Sequence, residues 1–273
     1  MIFRFIILGA VQGLTEFLPV SSSGHLVIFQ KLLRTAEGNI SFDIIVHLAS
    51  LSAVIFFFRH DFLAMFKKIL HLNKKATAIQ TGKIEIPEPN YPKIILFIFY
   101  ASLVTGFLGF KFKAGFESLF NSLSSVALGL VITGIILFLT KFKTAVKART
   151  QDKLNIWDGL VVGLAQGLAI APGVSRSGLT ISSGLFMNIE RRLAVRLSFL
   201  LSIPAILGAA VFKIKDLEAI AIAPVYLVTS FISAFIFSFL ALKLLVLLVE
   251  KLKLHYFAYY CWLVAGLIFF LAR

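Results

Sequence analysis

Long apolar runs dominate this sequence, with unbroken stretches near 41–58, 93–110, 122–140, 193–211, 224–248 and 255–271. An α-helix needs about 20 apolar residues to cross a bilayer and satisfies its backbone hydrogen bonds internally, so runs of this length are expected to be membrane spans. Hydrophobic residues make up 59% of the chain and charged residues only 15%, too little charge to clothe a soluble protein of this size. Two further apolar segments, 2–33 and 157–188, are interrupted at Pro19 to Gly24 and at Pro172 to Gly178. Pro and Gly stop one helix before another begins, and each segment is expected to be a hairpin of two half-helices.

The two broken segments repeat one another at a constant offset of 154. Gly9, Gln12, Gly13, Leu14, Val20, Ser21, Ser23 and Gly24 align with Gly163, Gln166, Gly167, Leu168, Val174, Ser175, Ser177 and Gly178. Gapless identity of this extent implies an internal duplication. The first repeat covers 1–140, a basic linker 141–156, and the second repeat 157–273, each repeat holding one hairpin and three spans. Three crossings invert the second copy. The expected fold is therefore an all-α polytopic membrane protein with six transmembrane helices plus two re-entrant helical hairpins in an inverted repeat. Broken helices at membrane depth are tolerated where they are buried or line a cavity, so the two motifs should face each other.

The formal charge of +14 does not point to a nucleic-acid partner, because Lys and Arg sit at the ends of apolar runs and in the loops between them. Residues 59–92 carry Arg59, Lys67, Lys68, Lys74, Lys75 and Lys83, and 141–156 carry Lys141, Lys143, Lys147, Arg149 and Lys153. The opposite loops carry chiefly Lys111, Lys113, Lys213 and Lys215. The positive-inside rule then places the basic loops in the cytoplasm and both termini outside. Met1, Arg4 and a short apolar stretch superficially resemble a signal peptide, but no small-residue cleavage site follows. Cys261 is the only cysteine, which excludes an intrachain disulfide and a cysteine-based metal site.

The first motif runs from Gln12 through Glu16, Pro19, Ser21, Ser22, Ser23 and Gly24 to His25; the second runs from Pro172 through Ser175, Arg176, Ser177 and Gly178 to Thr180. A carboxylate, an imidazole and a guanidinium at membrane depth are costly to bury without a function. An Arg fork, clustered hydroxyls and backbone N–H groups at helix N-termini suit a multiply charged oxyanion such as phosphate. Ser21, Ser23, Ser175, Arg176, Ser177 and Thr180 are candidate phosphate ligands. Gly24 and Gly178 allow close backbone approach or left-handed turns. An ionised Glu16 would repel phosphate unless it holds a proton or a divalent cation, and Mg²⁺ or Ca²⁺ is the expected bridge.

Asp43 and His47 lie four apart on one face of the next span; they either line the cavity or serve the helix start, where Ser41 or Asp43 is placed to cap. Glu190, Arg191 and Arg192 read as a helix-end group, and Lys243 as a snorkelling side chain. Neither motif fits a P-loop, a zinc-protease helix or a Ser-His-Asp order. Inverted repeats with broken helices also build transporters, which leaves a lipid flippase as the competing class.

The run from Gln12 to His25 and the run from Pro172 to Thr180 resemble the two signature motifs of the undecaprenyl-pyrophosphate phosphatase family, also called bacitracin-resistance proteins. The resemblance implies hydrolysis of undecaprenyl pyrophosphate to undecaprenyl phosphate, which recycles the lipid carrier of bacterial cell-wall assembly. It also implies a multi-pass protein of the bacterial inner (plasma) membrane with a tendency to form homodimers. By motif position Glu16, Ser22, His25, Ser175, Arg176 and Thr180 fall where the family carries functional residues, with Glu16, Ser22, His25 and Arg176 as the catalytic candidates and Glu16 as the metal ligand. Familiar relatives carry a second Glu where this chain has Gln12, so metal binding here would rely on Glu16 and neutral ligands.

Overall fold

In the computed structural model the described residues are 1–35, 39–70, 90–120, 122–143, 148–213, 222–248 and 253–271. Lys74, Lys75, Lys83, Lys147 and Lys215, which helped to define the basic loops and their opposite side, lie outside them. Twelve α-helices are found among the described residues: α1 (Ile2–Phe17), α2 (Ser22–Leu33), α3 (Ile40–Phe57), α4 (Arg59–Ile69), α5 (Tyr91–Lys111), α6 (Lys113–Leu119), α7 (Leu123–Leu139), α8 (Ile156–Leu168), α9 (Arg176–Phe186), α10 (Arg191–Lys213), α11 (Pro224–Leu248) and α12 (Tyr256–Leu271). Five segments are long and apolar enough to cross a bilayer: α3, α5, α7 with its following 3-10 turn, α10 and α11. The sixth expected span is α12, apolar but only 16 residues long and so about 24 Å in length.

The outer faces of these helices are apolar. On α5 only Ile94, Phe97 and Ala101 are buried, whereas Leu96, Phe99, Leu103, Phe107 and Phe110 are exposed. A helix apolar all round is stable where hydrocarbon is the solvent, and the chain is a multi-pass membrane protein.

Both interrupted segments are helical hairpins, α1–α2 and α8–α9, with breaks that contain the expected Pro19 and Pro172 but end before Gly24 and Gly178. Side-chain caps restart the chain after each break. Ser21 Oγ accepts from Gly24 N at 3.3 Å, and Ser175 Oγ accepts from Gly178 N at 3.0 Å. Of the two roles expected of Gly24 and Gly178, the structure shows close approach and not a left-handed turn. Ser21 (φ 68°) and Gly173 (φ 81°) adopt the left-handed backbone, whereas Gly24 and Gly178 lie inside α2 and α9. A Cβ on Gly24 would stand 3.4 Å from the Gly173 Cα, and one on Gly178 would stand 3.4 Å from the Pro19 Cβ, so the two hairpin tips abut. The helix-start expectation for α3 is also corrected: Asn39, not Ser41 or Asp43, caps it, accepting from Phe42 N at 2.8 Å.

Each hairpin's first helix lies along a long helix distant in sequence, α1 on α11 and α8 on α5. Glycine permits both approaches, because a Cβ on Gly13 would stand 2.5 Å from Ala234 O, and one on Gly163 would stand 2.6 Å from Ala101 O. Hydroxyls stitch the same contacts. Ser230 and Ser233 donate to Phe5 O and Ile6 O at 3.0 and 2.8 Å, and Thr105 donates to Gly163 O at 3.1 Å.

The linker expected at 141–156 is tied to the second hairpin. Arg149 grips the fully buried Asp158 through both oxygens at 2.8 and 2.7 Å, while Asn155 and Asp158 form a reciprocal capping box at the start of α8. Arg149 N also donates to Asn188 O at 2.6 Å, and Glu190 N to Arg149 O at 3.0 Å. Glu190 precedes α10, where its carbonyl accepts from Ala194 N at 2.8 Å.

Candidate active site

Glu16 lies on the inward stripe of α1 together with Phe5, Leu8, Gly9, Gln12 and Gly13, a helical spacing that carries apolar, small and polar groups into the interior. Its carboxylate is the hub of the site. Oε1 accepts from Arg176 Nη2 at 2.6 Å, and Oε2 accepts from Ser22 Oγ at 2.6 Å and from Gln12 Nε2 at 2.9 Å. His47 Nε2 stands 3.8 Å from the same Oε2. The carboxylate side chain is 6% exposed and the guanidinium side chain 15%, so this is a largely desolvated ion pair spanning the two motifs.

Two atoms in this cluster are buried without a protein partner, Arg176 Nη1 and Gln12 Oε1. Buried polar groups are normally satisfied, and an unused guanidinium donor is suited to an oxyanion. The unused amide oxygen of Gln12, next to the Glu16 carboxylate, is a hard donor of the kind that Mg²⁺ and Ca²⁺ accept. No group of three or more His, Cys, Asp or Glu residues suited to a metal occurs among the described residues. A divalent cation fits here only with one carboxylate, with Gln12 and Ser22 as neutral ligands and with phosphate oxygens or water completing its shell.

The remaining candidates divide by what their side chains touch. His25 Nδ1 donates to Ser21 O at 2.8 Å, since a carbonyl can only accept, and a neutral ring then presents Nε2 as acceptor to Tyr260 OH at 2.8 Å. Both ring nitrogens are thus engaged away from Glu16. Ser21 and Ser175 spend their oxygens as caps and lie 3.3 Å from Ser23 Oγ and 3.2 Å from Ser177 Oγ, respectively. Ser177 donates to Leu18 O at 3.1 Å and so ties the second motif to the break of the first. Thr180 donates to Arg176 O at 2.8 Å and lies 2.6 Å from Ser198 Oγ on α10. Thr133 on α7 receives Ser175 N at 2.9 Å and donates to Gly173 O at 3.1 Å, bracing the second break.

His47 and Tyr260 complete the neighbourhood. The four-residue spacing of Asp43 and His47 is visible in the sequence, and His47 Nδ1 does bond back to Asp43 O at 2.7 Å, leaving Nε2 directed at Glu16. Asp43 itself accepts from Gln30 Nε2 at 2.9 Å. Tyr260 lies in an aromatic-rich helix and has no neighbouring motif to single it out.

Comparison with known proteins places the chain in a family. The chain matches the family described as "Bacitracin resistance protein BacA" over residues 5–267. A protein named undecaprenyl-diphosphatase from Alkaliphilus metalliredigens is 40% identical over 270 residues, covering 97% of each chain. Undecaprenyl-diphosphatase 1 of Shouchella clausii is 40% identical, covering 97% of this chain and 94% of its own. A protein named undecaprenyl-diphosphatase from Methanobrevibacter smithii is 39% identical, with 98% and 96% covered. With both motifs joined at Glu16 and Arg176 and the match running nearly end to end, this chain belongs to the BacA bacitracin-resistance family.

Proposed function

We propose that this protein is an integral membrane phosphatase that hydrolyses undecaprenyl pyrophosphate to undecaprenyl phosphate and inorganic phosphate. The observation that carries the reading is the buried, unpartnered Arg176 Nη1 beside the Glu16–Ser22 pair, in a chain whose full-length relatives are named for this reaction. Arg176 would keep one nitrogen on Glu16 and offer the other to the terminal phosphate, positioning phosphorus near Ser22.

In this mechanism Ser22 Oγ attacks the terminal phosphorus and passes its proton to Glu16, with which it already shares a 2.6 Å hydrogen bond. The bond from phosphorus to the bridging oxygen breaks, and undecaprenyl phosphate leaves. Water then attacks the phosphoserine, inorganic phosphate departs, and the proton returns from Glu16 to Ser22. His47 faces the carboxylate that carries this proton, while His25, held by Tyr260, bonds Ser21 O just ahead of Ser22. A Mg²⁺ or Ca²⁺ ion held by Glu16 and Gln12 Oε1 would neutralise charge on the phosphate oxygens.

The architecture proposed for this site is an inverted repeat of two re-entrant hairpins and six spans, with α12 as the sixth and both termini outside. The eight-residue identity between motifs supports it, as do the paired glycine contacts of α1 on α11 and of α8 on α5. The deciding experiment measures phosphate release from undecaprenyl pyrophosphate by the detergent-purified protein with Mg²⁺, with Ca²⁺ and with chelator, beside Glu16→Ala and Arg176→Ala. Metal-dependent release that both folded variants lose is the expected result. Failure of the folded native protein to release phosphate under every metal condition overturns the proposal.

A further inference from the structure

A second basic site lies at the opposite end of α9 from Arg176, about 15 Å along the helix axis. There the 3-10 turn at 140–142, the residues after α9 and the start of α12 enclose a cavity of about 560 Å³. Lys141, Lys143, Arg191 and Lys253 line it with the buried His255, and no Asp or Glu is among its described lining residues. An anion placed among Lys141, Lys143 and Lys253 is attracted by all three ammonium groups.

A shallow groove adjoins the cavity and shares Lys143 with it; its other walls are Leu139, Phe142 and Phe186. Phe142 is 68% exposed, and Tyr256 and Tyr259 at the cavity are 55% and 49% exposed. Aromatic and Lys side chains at a helix end mark the boundary between hydrocarbon and water, the depth at which a lipid headgroup sits. Lys143 Nζ donates to Phe186 O at 2.9 Å, which fixes this ammonium at the junction of cavity and groove with two further hydrogens to offer.

We propose that the cavity and groove together bind an anionic membrane phospholipid, its phosphate among Lys141, Lys143 and Lys253 and one acyl chain along Leu139, Phe142 and Phe186. Cationic hollows between spans that open onto an apolar channel recognise both halves of such a molecule, whereas free phosphate would use the lysines alone. The site is separate from the Glu16–Arg176 cluster and its occupant is not hydrolysed. It stands independently of the phosphatase reading.

The test is native mass spectrometry of the full-length detergent-purified protein with phosphatidylglycerol or with phosphatidylcholine of the same acyl chains. Native protein should retain the anionic lipid preferentially. Lys141→Gln/Lys253→Gln should weaken that retention roughly 30-fold, Lys141→Arg/Lys253→Arg should keep it, and Lys67→Gln/Lys68→Gln on α4 should leave it unchanged. Phe142→Ser should also loosen the lipid. Melting temperatures without lipid confirm that each variant is folded. Equal retention of phosphatidylglycerol by native protein and the Lys141→Gln/Lys253→Gln variant would overturn the proposal. So would full displacement of the lipid by millimolar inorganic phosphate, which would make this a site for the free ion.

Discussion

Arg176→Lys separates the charge of this residue from its shape. The guanidinium uses Nη2 on Glu16 at 2.6 Å and holds Nη1 buried and unpartnered, so its fork can serve carboxylate and phosphate at once. A lysine ammonium keeps the positive charge but places it at one point, and it must choose between the two partners. The loss is then one charge-assisted hydrogen bond in the transition state, about 1.5–3 kcal/mol, or roughly a 10- to 150-fold fall in kcat/KM. Stability should change little, because the buried Glu16 retains a cation. Arg176→Ala, in contrast, leaves that carboxylate with hydrogen bonds from Ser22 and Gln12 and with His47 at 3.8 Å, and should cost about 3 kcal/mol in stability. The assay is phosphate release as a function of undecaprenyl pyrophosphate concentration, paired with thermal unfolding in the same detergent. If Arg176→Lys retains kcat/KM within about threefold of the native value, the two-partner fork is refuted.

Gln12→Glu would put a second carboxylate against Glu16 where an amide now donates at 2.9 Å; activity should become more dependent on divalent cation, read as a steeper loss on titration with chelator. Tyr260→Phe removes the hydroxyl 2.8 Å from His25 Nε2 and should lower the rate by about 2- to 13-fold with the melting temperature nearly unchanged, measured by the same phosphate assay. Gly13→Val should prevent stable folding, since its Cβ would meet Ala234 O at 2.5 Å, whereas Gly106→Ala, with nothing within 4 Å, should leave the detergent melting temperature the same or slightly higher.

Local features were legible before the structure. Pro19 and Pro172 marked the helix breaks, and the Glu and the Arg of the two motifs are the side chains that the fold brings into contact. What escaped were facts created by contacts far apart along the chain. His47 approaches Glu16 because α3 packs beside α1, and Tyr260 reaches His25 across 235 residues. Ser21, Ser175, Ser177 and Thr180, singled out for their hydroxyls, also serve the fold, through caps, through Leu18 O and through Ser198. Composition gives no means of seeing that a hydroxyl caps a helix. Arg149 looked like one more cytoplasmic cation, yet it is committed to Asp158, a partner nine residues away that is buried by the fold.

The packing of α1 against α11 carries a consequence for how the protein is made. Ser230 closes onto Phe5 O across 225 residues of chain. At ribosomal speeds of 5–20 residues per second, the partner helix follows the first hairpin by roughly 11–45 s. Through that interval the Gly9–Gly13 face and the Glu16 carboxylate are inside the membrane or at its edge without the surface that will cover them. Until then the exposed carboxylate is best accommodated by a proton, by lipid headgroups or by the insertion machinery. Slowing synthesis between α1 and α11 should raise the fraction of chains lost to quality-control proteases before they ever acquire activity.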